Sequence, residues 1–312
     1  MKDFKNCKLC EWRCGVNRLE GETGICHVEL PEVAYTSLAY ILKSYSITFL
    51  GCSFKCLYCN AYRISQYPDT GWIYRGYIEP EKMAKEAFDH LESPLAKNIG
   101  AYRLSFTGGE PTIHTPYLEE LVRIIRKFKP SIEVGTATNG FPTAKTLKRL
   151  LEIVNFINFE IKAFNDETHR NLTGAPSEPV LRNAAYLAEK APEKIRVFRT
   201  VVIPGITDKE VPMIAEFLSE INEEIPYRLI GFRPNFVLYY HRGPSKTLMD
   251  DLVKKCKEKG LKNVDYSGYY PLEIKDPVYY LEKLGCPPPR NCGECKFKNE
   301  CRITIMEPWL FK

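Results

Sequence analysis

The chain alternates short runs of β-branched and aromatic residues with longer runs whose apolar positions recur every three or four residues. The short runs, at 46–50, 102–106, 132–137, 156–161, 195–202 and 227–232, are flanked by Gly, Pro or Asn and predict strands. Between them, Met83, Ala84, Ala87, Phe88 and Leu91 fall on one helical face. So do Leu118, Leu121, Val122, Ile125 and Phe128, and again Val211, Ile214, Ala215, Leu218 and Ile221. Pro116, Pro179 and Pro212 stand where a first helical turn needs no amide proton. Strands separated by single helices predict an α/β fold with a parallel sheet and right-handed crossovers. Six such units fit a partial (β/α)6 TIM-type barrel better than a closed eightfold one. The site should then lie at the C-terminal ends of the strands. Gly51-Cys52, Thr107-Gly108-Gly109-Glu110, Thr138-Asn139-Gly140, Lys162 and Pro204-Gly205 all follow predicted strands.

Composition narrows the class. A length of 312 residues, 44% hydrophobic and 27% charged, is that of a globular protein with room for a large core. No apolar run approaches the ~20 residues of a membrane span. Met1-Lys2-Asp3-Phe4-Lys5-Asn6 opens the chain without an apolar leader, which reads as cytoplasmic with no membrane partner. A net charge of +5 does not by itself argue for an acidic or nucleic-acid partner.

The cysteines carry more. Of twelve, eleven fall in three groups: Cys7, Cys10, Cys14 and Cys26; Cys52, Cys56 and Cys59; Cys286, Cys292, Cys295 and Cys301. In a reducing compartment, clustered C-x2-C spacings indicate metal rather than disulfides. Cys256 stands apart, on a helical-looking run. The central triplet reads C-x3-C-x2-C on a loop after a strand. Three thiolates there can hold three irons of a 4Fe–4S cube and leave the fourth open to a ligand. The competing reading is a zinc site completed by His27 or His114, although zinc loops are usually built from two ligand pairs.

With Tyr58 immediately before Cys59, this triplet resembles the signature of the radical SAM superfamily. Thr107-Gly108-Gly109-Glu110-Pro111 is similar to that family's GGE-P strand end, and between about Ile47 and Pro234 the likeness is to activating enzymes of the pyruvate formate-lyase type. Thr138-Asn139-Gly140, Ile161-Lys162 with Asn165-Asp166-Glu167, Leu172-Thr173-Gly174 and Val201-Val202-Ile203-Pro204-Gly205 extend it. The resemblance implies a 4Fe–4S cluster on Cys52, Cys56 and Cys59 whose open iron chelates S-adenosyl-L-methionine. It implies reductive cleavage to a 5′-deoxyadenosyl radical that takes hydrogen from a protein, peptide or small molecule. It also implies cofactor contacts from Gly108, Gly109, Glu110, Asn139 and Lys162, and a reductant such as ferredoxin or flavodoxin under anaerobic conditions. A carboxylate at Glu110 suits the methionine ammonium. Two features depart from the activating enzymes. Ala137 and Glu160 stand where they carry aspartates of a cation site, and Phe232-Arg233-Pro234-Asn235 replaces L-P-Y-H.

The flanking groups suggest three units: a Cys-rich module at 1–34, the radical SAM partial barrel at 35–244, and a C-terminal extension at 245–312. Cys7, Cys10, Cys14 and Cys26 suit a second 4Fe–4S cluster or a closed zinc site. Cys286, Cys292, Cys295 and Cys301, after Pro287-Pro288-Pro289, form a third four-thiolate set with the same two readings. The function expected is that of a radical SAM enzyme. Glycyl-radical installation, RNA modification and a non-catalytic electron-transfer role are the alternatives. Strand-end motifs shaped for a methionine-derived cofactor argue against the last of these.

Overall fold

The structure is a computed structural model that describes residues 2–66 and 74–270. Its centre is one nine-stranded sheet, most of it parallel. In chain order the strands are β1 (Glu32–Ala39), β2 (Ser44–Phe49), β3 (Gly76–Tyr77), β4 (Arg103–Gly108), β5 (Glu133–Thr138), β6 (Phe156–Glu160), β7 (Ile195–Val202), β8 (Tyr227–Gly231) and β9 (Val264–Ser267). Spatial order is β3-β1-β2-β4-β5-β6-β7-β8-β9, and every pair from β2 to β9 is parallel. All six predicted strands are present within two residues. β3 and β9 are the two edges, so among the described residues the sheet does not close.

The crossover helices are α1 (Tyr62–Ser65), α2 (Pro80–Leu91), α3 (Pro94–Ile99), α4 (Thr115–Phe128), α5 (Ala144–Ile153), α6 (Asp166–Thr173), α7 (Glu178–Lys190), α8 (Val211–Ile221) and α9 (Lys246–Glu258). They pack against one another in chain order, α2 on α4, α4 on α5, α7 on α8 and α8 on α9. The apolar stripes read from the sequence are their inner faces: Met83, Ala84, Ala87, Leu118, Leu121, Ile214 and Leu218 are all buried. Side chains cap several starts, Thr143 on α5, Asn165 on α6 and Ser245 on α9, each accepting from an amide of the first turn. No helix among the described residues is long and apolar enough to cross a membrane.

Two parts of the sheet exceed the six-unit reading. β1 returns antiparallel along β2, its register interrupted between Val33 and Tyr35, and adds an edge strand before the first parallel one. α9 and β9 add a further helix–strand unit, with Tyr227 to Ile230 paired to Val264 to Ser267. Cys256 is buried on α9 in the core, as an ordinary helix residue. The module containing Cys286, Cys292, Cys295 and Cys301 lies outside the described residues.

Because α9 lies in the same apolar core as α8, truncating it should unfold the whole sheet more easily. Met249→Ala removes a fully buried side chain and should lower global stability by about 2–5 kcal/mol. Urea unfolding followed by tryptophan fluorescence measures this. An unchanged midpoint would mean that α9 is only loosely attached.

Candidate functional site

At the C-terminal ends of the parallel strands lies a cavity of about 320 Å³. Its shape begins with backbone packing. Gly109 donates its amide to Phe49 O at 3.0 Å, and Glu110 donates to Gly51 O at 2.9 Å. A Cβ on Gly109 would sit 1.8 Å from Gly51 O; one on Gly108, at φ +125°, would sit 2.2 Å from Phe49 O. The two glycines therefore let the end of β4 lie directly on the backbone that leads from β2 into the cysteine loop.

That loop is held from every side. Gly51 donates to Ile64 O, Lys55 to Thr173 O and Leu57 to Leu172 O, all between 2.8 and 2.9 Å. The Trp12 indole donates to Ser53 O at 2.7 Å, and the Gln66 amide to Cys56 O at 2.9 Å. Cys52 and Cys56 are buried, Cys59 partly so, and all three line the cavity. Burial pushes the Cys56 thiol up to about 12 and raises Cys52 and Cys59 as well. Hydrogen-bond donors already face two of the sulfurs: Asn139 Nδ2 is 3.7 Å from Cys52 Sγ, and Ser65 Oγ is 3.2 Å from Cys59 Sγ.

Gly108, Gly109, Glu110, Asn139 and Lys162 line the same cavity as the triplet. The structure thus brings together every residue assigned to the central site. Glu110 differs from expectation in how it is used. Its Oε1 accepts from Thr112 N, Thr112 Oγ1 and Thr138 Oγ1 at 2.7–3.1 Å, and its Oε2 accepts from Asn139 N at 2.7 Å. Burial raises its pKa, against the pull of these donors. Oε1 is fully used by three donors, while Oε2, with one donor, keeps a lone-pair direction open. Glu110 is a strap between the ends of β4 and β5.

His114, a possible zinc ligand on sequence grounds, is buried with Nε2 2.9 Å from Leu50 O and Nδ1 3.3 Å from Arg18. Burial and the Arg18 charge lower its pKa to about 3, so it is neutral.

At the other end of the cavity Glu160 sits between two cations. Arg199 Nη2 donates to Glu160 Oε1 at 2.7 Å, and Lys162 Nζ donates to Oε2. Burial alone would raise the Glu160 pKa, but Lys162 and Arg199 bring it down to about 2. Arg199 was not singled out in the sequence. The available signal was a charged residue two positions before Val201 on β7, since both face the cavity. Arg199 and Tyr58 line the cavity, while Arg199 Nε and the Tyr58 hydroxyl are themselves buried without a hydrogen-bond partner.

The donor set fits a sulfur-ligated cluster with a small polar ligand beside it. Three thiols share one rigid loop, N–H and O–H groups face two of the sulfurs, and Asn139, Glu160, Lys162 and Arg199 line the adjoining space.

Comparison with known proteins agrees with this geometry. A profile described as the radical SAM superfamily matches residues 46–218. The GTP 3′,8-cyclase of Nautilia profundicola is 27% identical over 257 residues, covering 81% of this chain and 74% of that protein. The pyruvate formate-lyase 1-activating enzyme of Escherichia coli is 28% identical over 194 residues, 59% of this chain and 73% of that one. Among solved structures, Streptococcus suis SuiB bound to S-adenosylmethionine superposes with a TM-score of 0.52 at 15% identity. That overlap covers 70% of this chain and 48% of SuiB, and it shows the shared fold.

The glycine packing generates a direct prediction. Gly109→Ala must push the Gly51 carbonyl aside and displace the cysteine loop. It should cost about 1–3 kcal/mol of stability and reduce anaerobically incorporated iron. Thermal unfolding and an iron assay measure the two effects. Wild-type values in both would show that the contact does not set the loop.

Proposed function

The chain belongs to the radical SAM superfamily, and on that premise we propose that it reductively cleaves S-adenosyl-L-methionine and abstracts hydrogen from a protein, peptide or small-molecule substrate. The observation that carries the reading is the convergence of Cys52, Cys56, Cys59, Gly109, Asn139 and Lys162 on one cavity at the strand ends. When bound, a 4Fe–4S cluster on the three thiolates supplies an open iron and one electron. These are what reductive cleavage of S-adenosylmethionine to methionine and a 5′-deoxyadenosyl radical would require.

The protein's own part is to bind, orient and exclude water. Cys52, Cys56 and Cys59 would hold three irons, with the Asn139 amide donating toward Cys52 Sγ and the Ser65 hydroxyl toward Cys59 Sγ. The Gly108–Gly109 segment brings main-chain atoms to the cavity wall without side chains in the way. The Glu110 carboxylate is held in place by four protein donors, so in this reading the methionine ammonium meets main-chain acceptors of that segment together with the open side of Glu110 Oε2. Lys162 remains a cation at the cavity edge, its charge partly neutralised by Glu160. Hydrogen taken from the substrate would end on 5′-deoxyadenosine and leave the unpaired electron on the substrate, so one electron in gives methionine, 5′-deoxyadenosine and a substrate radical.

The substrate is a separate matter, because a shared fold does not fix it. The relatives named above include a nucleotide cyclase and an enzyme that activates another protein. Glu160 stands between Lys162 and Arg199 rather than open to a bound cation. Arg233 and Asn235 shape the rim in place of L-P-Y-H. These departures favour a substrate other than a glycyl-radical enzyme. A ferredoxin or flavodoxin is the reductant this chemistry requires.

The test is anaerobic incubation of reconstituted, reduced protein with S-adenosylmethionine. 5′-Deoxyadenosine should form, and replacing Cys52, Cys56 and Cys59 together by Ala should reduce it at least a hundredfold. Equal yield from the triple variant would refute the assignment.

A further inference from the structure

Near the N-terminus the structure buries a guanidinium with no carboxylate to neutralise it. Arg18 is 1% exposed and takes part in none of the ion pairs among the described residues. Its Nε donates to Glu29 O at 2.6 Å and its Nη1 to Ile113 O at 2.7 Å. Its Nη2 is 3.3 Å from Nδ1 of the neutral His114, and its Cζ lies 4.4 Å from the centre of the Phe4 ring. These partners satisfy its hydrogen bonds but supply no negative charge. A buried cation without a counter-ion is costly. Thiols that can become anionic lie beside it: Arg18 Nη1 is 4.0 Å from Cys7 Sγ, and burial raises the Cys26 thiol against the pull of the Arg18 charge.

Cys7 and Cys26 lie beside this cation, and Cys10 and Cys14 lie near them. Cys7 donates its amide to Val16 O, and Gly15 returns one to Cys7 O, folding the segment into a tight loop. Gly24 packs on Cys14, where a Cβ would meet the sulfur at 2.8 Å. Cys26, Cys14 and Cys7 each act electrostatically on Cys10. As free thiols the four sulfurs would be neutral and would leave Arg18 unpaired. As metal-bound thiolates they would carry the charge it lacks.

Four thiolates suit a 4Fe–4S cube or one zinc equally by count and by charge. The choice of the cube rests on the function proposed above: a chain that loads a cube on Cys52, Cys56 and Cys59 is matured where a second can be built.

We propose that Cys7, Cys10, Cys14 and Cys26 hold a second, fully ligated 4Fe–4S cluster, with Arg18 as its buried counter-charge. Four thiolates on a cube whose irons and sulfides sum to +2 leave a net charge of −2, and Arg18 offsets half of it. The cluster is anchored to both walls of the central site. Trp12, two residues after Cys10, donates to Ser53 O beside Cys52, and Arg18 holds Ile113 O in the turn after Glu110. With every iron ligated by cysteine, this centre binds no substrate. It fixes the backbone on which the open site is built.

The experiment uses the full-length chain, purified anaerobically, with Cys52, Cys56 and Cys59 all replaced by Ala, so that its outcome does not depend on the proposed cleavage reaction. Adding Cys7→Ser and Cys10→Ser should lower iron and acid-labile sulfide by about four each per chain. In that background Arg18→Met should cut occupancy of the second centre several-fold, whereas Arg18→Lys should largely retain it. In the otherwise unaltered, iron-replete protein, iodoacetamide should leave the exposed Cys14 unmodified until iron is stripped by a chelator, as read by peptide mass spectrometry. Unchanged iron on removal of Cys7 and Cys10, zinc in place of iron, or immediate alkylation of Cys14 would overturn the cluster. Equal occupancy in Arg18→Met and Arg18→Lys would remove Arg18 from the account.

Discussion

The contact between the Gly108–Gly109 backbone and the Phe49–Gly51 backbone is the constraint from which the site follows. Parallel strands place their C-terminal ends side by side, but ordinary side chains would hold those ends too far apart for their loops to share one small space. Two glycines at the end of β4 let it lie against the exit of β2 at main-chain distance. Glu110 can then reach Thr112, Thr138 and Asn139 and tie β4 to β5. Asn139, placed by that strap, directs its amide to Ser53 and Cys52. Each step depends on the close approach before it.

Three charges among the described residues are met in three different ways. Glu110 is satisfied by hydrogen bonds rather than by a cation. Glu160 is satisfied by Lys162 and Arg199, leaving a net positive charge at that end of the cavity. Arg18 is satisfied by neutral acceptors only. In a low-dielectric interior an unbalanced charge marks where another charged group belongs. That logic directs an anionic ligand group to the Lys162–Arg199 end, and the thiolates of the first cysteine group to Arg18.

Much of this was legible in the sequence because the relevant signals are local. Strands with short β-branched and aromatic runs between Gly, Pro or Asn, helices with one apolar stripe, and a cysteine loop beginning at a strand end announce themselves without knowledge of the fold. β1 and β9 were missed for a physical reason. β1 is an edge strand with an interrupted register, and several of its side chains face solvent, so its alternation is weak. β9 is only four residues long. The uses of Glu110 and Arg18 were hidden because they depend on partners distant in sequence. Thr138 lies 28 residues from Glu110, and Ile113 lies 95 from Arg18. A motif can name the residue type; only the packed strands show whether its charge faces a ligand or is taken up within the protein.

The central claim is that the three-cysteine loop holds a cluster with one open position at the wall of this cavity. The most direct measurement is the electron paramagnetic resonance spectrum of the reduced, otherwise unaltered protein during titration with S-adenosylmethionine, with the spectrum of the Cys52→Ala/Cys56→Ala/Cys59→Ala variant subtracted as background. The account predicts that the g-values shift, saturating near one equivalent, because the added molecule ligates the open iron. A spectrum unchanged at saturating S-adenosylmethionine would contradict it.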